Sequence, residues 1–189
     1  MKTFLALVLS ISLGSAVSQD VKVEPTISTV KWLGKKATGE HNGTINVQEG
    51  TLEMDGNKLT GGSFSIDMTT INCEDLPGRA KTKLENHLKS DDFFGVQNHP
   101  KATFVITKVK ATGSGVYQVT GDMTIKNITK EIQFPARVVK NGNKVEATAD
   151  LMIDRAKFNV RYGSGSFFDD LGDRLIYDDF EISVSLLSK

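Results

Sequence analysis

Residues 84–106 read LENHLKSDDFFGVQNHPKATFVI, and the fold turns on how this stretch is understood. It opens inside a short amphipathic segment, in which Leu84 and Leu88 stand i, i+4 on one helical stripe. An aromatic pair follows at Phe93-Phe94, then Pro100, then a run that reads as a β-strand. Upstream, Asp75 is placed to cap a helix and Pro77 is tolerated in a first turn, so the spacing predicts a helix over 77–89. Its apolar stripe is narrow, which puts it on a surface rather than inside a bundle. A surface helix leading into phenylalanines, set in a chain that otherwise reads as strands, predicts a lid between residues 77 and 95 over the mouth of a barrel.

Outward from the lid, both flanks alternate with the two-residue period of strands. Toward the N-terminus, a first strand is expected over Ile27–Leu33, with Val30 and Trp32 on one face. From Ala37 to Val47, His41 falls on the same face as Gly39, Gly43, Ile45 and Val47. Strands over Gly50–Met54 and Leu59–Met68 flank Asp55-Gly56-Asn57, a strong hairpin signal, and Phe64, Ile66 and Met68 share a face of the second. Toward the C-terminus, Tyr117, Val119, Met123 and Ile125 alternate with polar residues, as do Ile132, Phe134, Ala136 and Val138. The pattern continues in Val145 to Ile153, after a turn at Asn141-Gly142-Asn143, and in Phe180 to Leu186. One-sided strands joined by tight turns make an antiparallel sheet. About eight of them in up-and-down order favour a closed barrel able to enclose one small ligand, the lipocalin-like solution. Small inward residues (Gly39, Gly43, Gly121, Ala147, Ala149) are expected to leave room inside.

The 189 residues fit one domain, and 23 basic side chains against 23 acidic ones leave no electrostatic footprint for nucleic acid. Lys2, the apolar run Phe4–Leu13 and the small residues Gly14, Ser15, Ala16 and Ser18 have the order of a secretory signal peptide over residues 1–18, cleaved after Ser18 or Ala16. The domain then runs over 19–189, exported to a periplasm or secreted. The single cysteine, Cys73, rules out an internal disulfide framework and reads as a small inert residue.

The runs HLKSDDFFGVQNHPKATF, VYQVTGDMTIKNITKEIQF and ATADLMIDRAKFNV together resemble the YceI-like family of bacterial periplasmic proteins. The resemblance covers about Pro25 to Leu187. It implies a lipocalin-like barrel whose interior holds a polyisoprenoid or other long-chain, fatty-acid-type amphiphile, acting as a carrier or sequestering protein rather than an enzyme. Burying each methylene is worth about 0.8 kcal/mol, so a long tail can bind with few polar contacts. Transient membrane contact fits such a role, and an edge strand could pair with a second copy, although no signal demands it.

The expected ligand-binding residues are Trp32, His41, Phe64, Leu84, Leu88, Phe93, Phe94, Phe104, Arg155, Phe158, Arg161 and Tyr162. His41 is either a polar contact inside the tunnel or a core histidine satisfied by a neighbour. Arg155, Arg161 and Tyr162 form the candidate anionic-headgroup site, since arginine grips carboxylate or phosphate bidentately; alternatively Arg155 pairs with Asp154 or Asp169. Leu84, Leu88, Phe93 and Phe94 either line the entrance or pack the helix onto the barrel. His87 and His99 suit surface or capping roles. Catalytic motifs are absent: no Gly-x-Ser-x-Gly, no His-Glu-x-x-His, and adjacent aspartates that point to opposite strand faces. No cofactor motif is present, and Asp91, Asp92 and His87 match no metal-binding spacing. Two rival readings remain: an enzyme using His41, Arg155 and Tyr162 on a lipid or quinone-like substrate, and an envelope-stress interaction module.

Overall fold

Alternation of apolar and polar residues commits most of this chain to strands with one buried face. The computed structural model describes residues 18–189, so all of the expected leader except Ser18 lies outside the described residues. The strands are β1 (Gln19–Lys22), β2 (Thr29–Lys36), β3 (Gly39–Asp55), β4 (Lys58–Cys73), β5 (Lys101–Gly113), β6 (Val116–Ile125), β7 (Ile128–Asn141), β8 (Lys144–Asp154) and β9 (Ile176–Leu187). Among the described residues a single α-helix, α1 (Gly78–Lys89), stands between β4 and β5. From β2 to β9 each strand pairs antiparallel with the next, and β9 pairs back with β2, closing an eight-stranded up-and-down barrel. The expected lipocalin-like all-β barrel with a short helical lid is therefore the observed fold.

Particular boundaries differ, for physical reasons. The first barrel strand runs Thr29–Lys36 rather than Ile27–Leu33, because Pro25–Ile27 form a 3-10 turn capped by the Glu24 carboxylate. The two strands expected over 37–47 and 50–54 are one, β3. Register shifts against β4 between Thr44 and Asn46 and between Val47 and Glu49 bend it. The bend lets its first half pair with β2 and its last residues with β1. Strand β1 was not foreseen: four residues with one buried side chain, Val21, carry no periodicity. Asp75 does not cap α1; Pro77 holds that position without a side-chain bond.

Two of the small inward residues also act differently from expectation. A Cβ on Gly121 would lie 2.5 Å from Phe104 Cζ, so the glycine exists to receive that ring. Gly43 likewise lies under Trp32 and against the Asn72 carbonyl. These glycines seat aromatic side chains rather than leaving space. Ala147 and Ala149 do border open volume.

The two barrel ends are unlike. At the hairpin end, Met54 and Val145 are fully buried, and the Tyr117 hydroxyl accepts from the Leu59 N–H (3.3 Å) and faces the Asn57 carbonyl (3.5 Å). That end is plugged. At the other end, α1 packs on the end of β4, tied there by Glu85 accepting from the Cys73 N–H (2.8 Å) and by Lys81 donating to Asn72 (2.7 Å). Among the described residues no helix is long and apolar enough to cross a membrane.

Candidate functional site

Inward side chains from all eight barrel strands surround a cavity of about 240 Å³. Its deep end is formed by Leu52, Leu59, Val138 and Leu186, and its waist by Phe64, Phe104 and Phe134, the latter two with ring centroids 5.3 Å apart. Toward the helix end lie Trp32, Leu88, Phe93, Phe94, Tyr177 and Phe180. The indole N–H of Trp32 donates to the Thr44 carbonyl (3.2 Å), so this amphipathic ring turns its apolar body inward. Arg155 is the one charged residue lining the cavity among the described residues.

The lid is built locally. Helix α1 ends at Ser90, whose N–H and hydroxyl both bond the His87 carbonyl (3.2 and 2.7 Å). The chain then folds back on itself, with the amides of Phe94, Gly95 and Val96 bonding the carbonyls of Leu88, Ser90 and Lys89. Gly95 takes a left-handed conformation (φ 57°) that makes this reversal available at little cost. The reversal drives Phe93 and Phe94 under the helix end, their rings edge-to-face at 5.0 Å. Only the last turn of α1 reaches the cavity, so Leu88 lines it whereas Leu84 stays half-buried outside it.

Of the expected residues, Trp32, Phe64, Leu88, Phe93, Phe94, Phe104 and Arg155 border the cavity. His41, Leu84, Phe158, Arg161 and Tyr162 do not, each for a local reason. His41 sits at the rim, its Nδ1 2.8 Å from Asp75 Oδ2, which makes it the histidine satisfied by a neighbour. Phe158 is fully buried at the end of a 3-10 turn, Arg155–Phe158, and is core packing. Arg161 is exposed and stacks on the Phe167 ring at 4.6 Å. Tyr162 is half-exposed, its ring 4.3 Å from that of His87. Of the expected headgroup residues, only Arg155 lines the cavity.

Arg155 itself is committed to structure. Its Nε donates to the Tyr177 carbonyl (3.2 Å), Nη1 to Val160 (2.9 Å) and Nη2 to Ile176 (2.9 Å). Its ion partner is Asp178 (3.3 Å), rather than Asp154 or Asp169. Asp154 instead caps the following 3-10 turn through the Ala156 N–H (2.9 Å). Burial pulls the guanidinium pKa down, opposed by Asp178 and Asp154; an arginine stays charged regardless. With one face over the Phe93 ring at 5.2 Å, the side chain ties the 155–178 loop to the lid.

Asp75 gathers His41, the Asn42 N–H (3.2 Å) and the Cys73 thiol (3.1 Å). Burial alone would raise its pKa, but these donors outweigh that and hold the carboxyl at about 2. Burial, with Asp75 beside it, pushes the Cys73 thiol up, so the thiolate is disfavoured and the cysteine is inert. Aspartate stands between thiol and imidazole, so the thiol has no base beside it. Of the rival catalytic set of His41, Arg155 and Tyr162, only Arg155 borders the cavity.

One residue that sequence reading missed stands at the mouth. Lys126, in the tight β6–β7 turn, extends its Nζ to the Phe93 carbonyl (2.9 Å) and the Asn159 carbonyl (3.5 Å). No spacing rule joins a hairpin turn to a lid more than thirty residues upstream.

Comparison with known proteins places this architecture. The YceI-like domain matches residues 21–187. The chain belongs to the YceI-like family. A UPF0312 protein of Pseudomonas putida (strain W619) is 31% identical over 141 residues, covering 71% of each chain. Among solved structures, BcnA of Burkholderia cenocepacia superposes with a TM-score of 0.68 at 23% identity, over 88% of this chain and 99% of that one. A polyisoprenoid binding domain from Saccharophagus degradans, implicated in plant cell wall breakdown, gives a TM-score of 0.63 at 12% identity, over 89% and 97%. At these identities the two superpositions establish a shared fold.

Proposed function

We propose that this YceI-like barrel binds a long-chain amphiphile of isoprenoid or fatty-acyl type, holding the tail inside and the polar end at the lid. The observation that carries this reading is the cavity: almost wholly apolar apart from Arg155, plugged at the hairpin end, and bordered at the other by Leu88, Phe93 and Phe94. A cavity of about 150 Å³ takes up benzene, so a volume near 240 Å³ seats about ten carbons. At about 0.8 kcal/mol per methylene that gives roughly 8 kcal/mol gross, within the 4–15 kcal/mol cost of association, so a tail and a headgroup contact together suffice. The binding activity named for the Saccharophagus degradans domain points the same way.

A binding protein, rather than an enzyme, suits a lining whose one charged group is already held by three carbonyls and an aspartate. The charged, apolar and small-residue order of residues 2–18 supports export before the barrel meets its ligand. Half-exposed Tyr162, Phe168 and Tyr177 support a brief contact with a membrane surface during loading.

The test is mass spectrometry of an organic extract from protein purified out of its native envelope. A stoichiometric prenyl, quinone or fatty-acyl species is expected. A folded protein that extracts empty would contradict the carrier reading and favour an interaction module.

A further inference from the structure

We propose that Lys126 reads the headgroup, so that the preferred amphiphile ends in an anion, a carboxylate or a phosphate. This rests on the tail-binding reading above and adds the charge class of the ligand. Several cations surround the lid. Arg155 is surrounded by three carbonyls and Asp178, Lys157 pairs with Asp154 (3.6 Å), and Arg161 lies on Phe167. Lys126, and Lys89 at the end of α1, make no ion pair among the described residues. Lys126 differs from Lys89 in that its ammonium bonds the carbonyl of cavity-lining Phe93. The Lys126 ammonium has three donors, and it meets only two neutral carbonyls, one of them at the weak limit of 3.5 Å.

The backbone under it is also unusual. Lys126 (φ 52°) and Asn127 (φ 60°) are both left-handed, the requirement of a type I′ hairpin turn. Glycine, asparagine and aspartate hold such positions at least cost, so a lysine there is an outlier that invites a functional explanation. The preceding residue, Ile125, is a buried part of the cavity wall, and the carbonyl that Lys126 grips belongs to cavity-lining Phe93. The ammonium thus stands directly behind the lid, where the polar end of a seated tail would emerge. An anionic oxygen adds to the ammonium's hydrogen bond a direct Coulomb attraction that a neutral carbonyl lacks. An anion arriving there displaces the Phe93 carbonyl and takes its place on Nζ.

The test uses dodecanoate and dodecanol as probes on the delipidated barrel, with the sole tryptophan, cavity-lining Trp32, as the fluorescent reporter. Wild type is expected to favour dodecanoate over dodecanol, with the preference shrinking as salt rises. Lys126→Met, which keeps the aliphatic stem, should weaken dodecanoate about tenfold and spare dodecanol, as expected for one charge-assisted bond lost. Lys126→Arg should retain most of the preference. Equal losses for both probes in Lys126→Met, or no loss for either, would overturn the headgroup role and leave the tail-binding reading standing. Failure of both probes to bind wild type would instead sink the tail-binding reading, and this proposal with it.

Discussion

Asp75 joins the start of β3, the end of β4 and the approach to α1 through one carboxylate. Its carboxyl is held at about 2, against an ordinary value of 3.8, chiefly by the His41, Cys73 and Asn42 donors working against burial. A carboxyl depressed on folding adds stability that is fully present above its unfolded value and is lost as pH falls through its folded one. The window for Asp75 is therefore from about 4 down to about 2. Urea midpoints measured across that window should fall more steeply for wild type than for Asp75→Asn. Parallel slopes would mean that the carboxylate contributes nothing beyond its shape. Glu24, held at about 2 by Lys189 and Thr26, acts in the same direction in both proteins and cancels in the difference.

At the scale of elements, the β5–β6 pair holds the waist of the cavity through one close fit, the Phe104 ring against Gly121. Gly121→Ala would push a methyl into that ring and into the Val105 carbonyl, both 2.5 Å from the new Cβ. Overpacking of this kind costs about 1–3 kcal/mol, read as a lower denaturation midpoint. An unchanged midpoint would show that the ring moves away without cost. The same pair illustrates what was legible in the sequence. Strand faces were, because a buried face imposes a two-residue period; Phe64, Phe134 and Phe180 were placed on apolar faces by that rule alone. The lid was legible because Leu84 and Leu88 stand i, i+4 with only polar residues, Glu85, Asn86 and His87, between them. That spacing suits a helical stripe and interrupts strand alternation at Asn86. What glycine does inside a strand was not, since an empty side chain and a seat for an aromatic ring read identically. Residues 155–178 were also opaque: a loop has no period, so nothing told Phe158 and Arg161 apart from cavity wall. Lys126 was hidden for the corresponding reason, its contact being made across space by a turn.

Over the whole molecule, closure of the eight strands leaves an apolar interior sealed at one end by Tyr117 and covered at the other by the lid. Tail length and cavity length are then one property, and filling the cavity must abolish binding without unfolding the barrel. Ala147, buried in β8 and bordering the cavity, is the place to fill it. The decisive measurement is a Trp32 fluorescence titration of Ala147→Phe and wild type with dodecanoate, alongside their thermal midpoints. The expected result is a loss of affinity of at least tenfold, about 1.4 kcal/mol, at a midpoint near that of wild type. Undiminished binding in the filled barrel would place the amphiphile elsewhere and contradict the tail-binding reading.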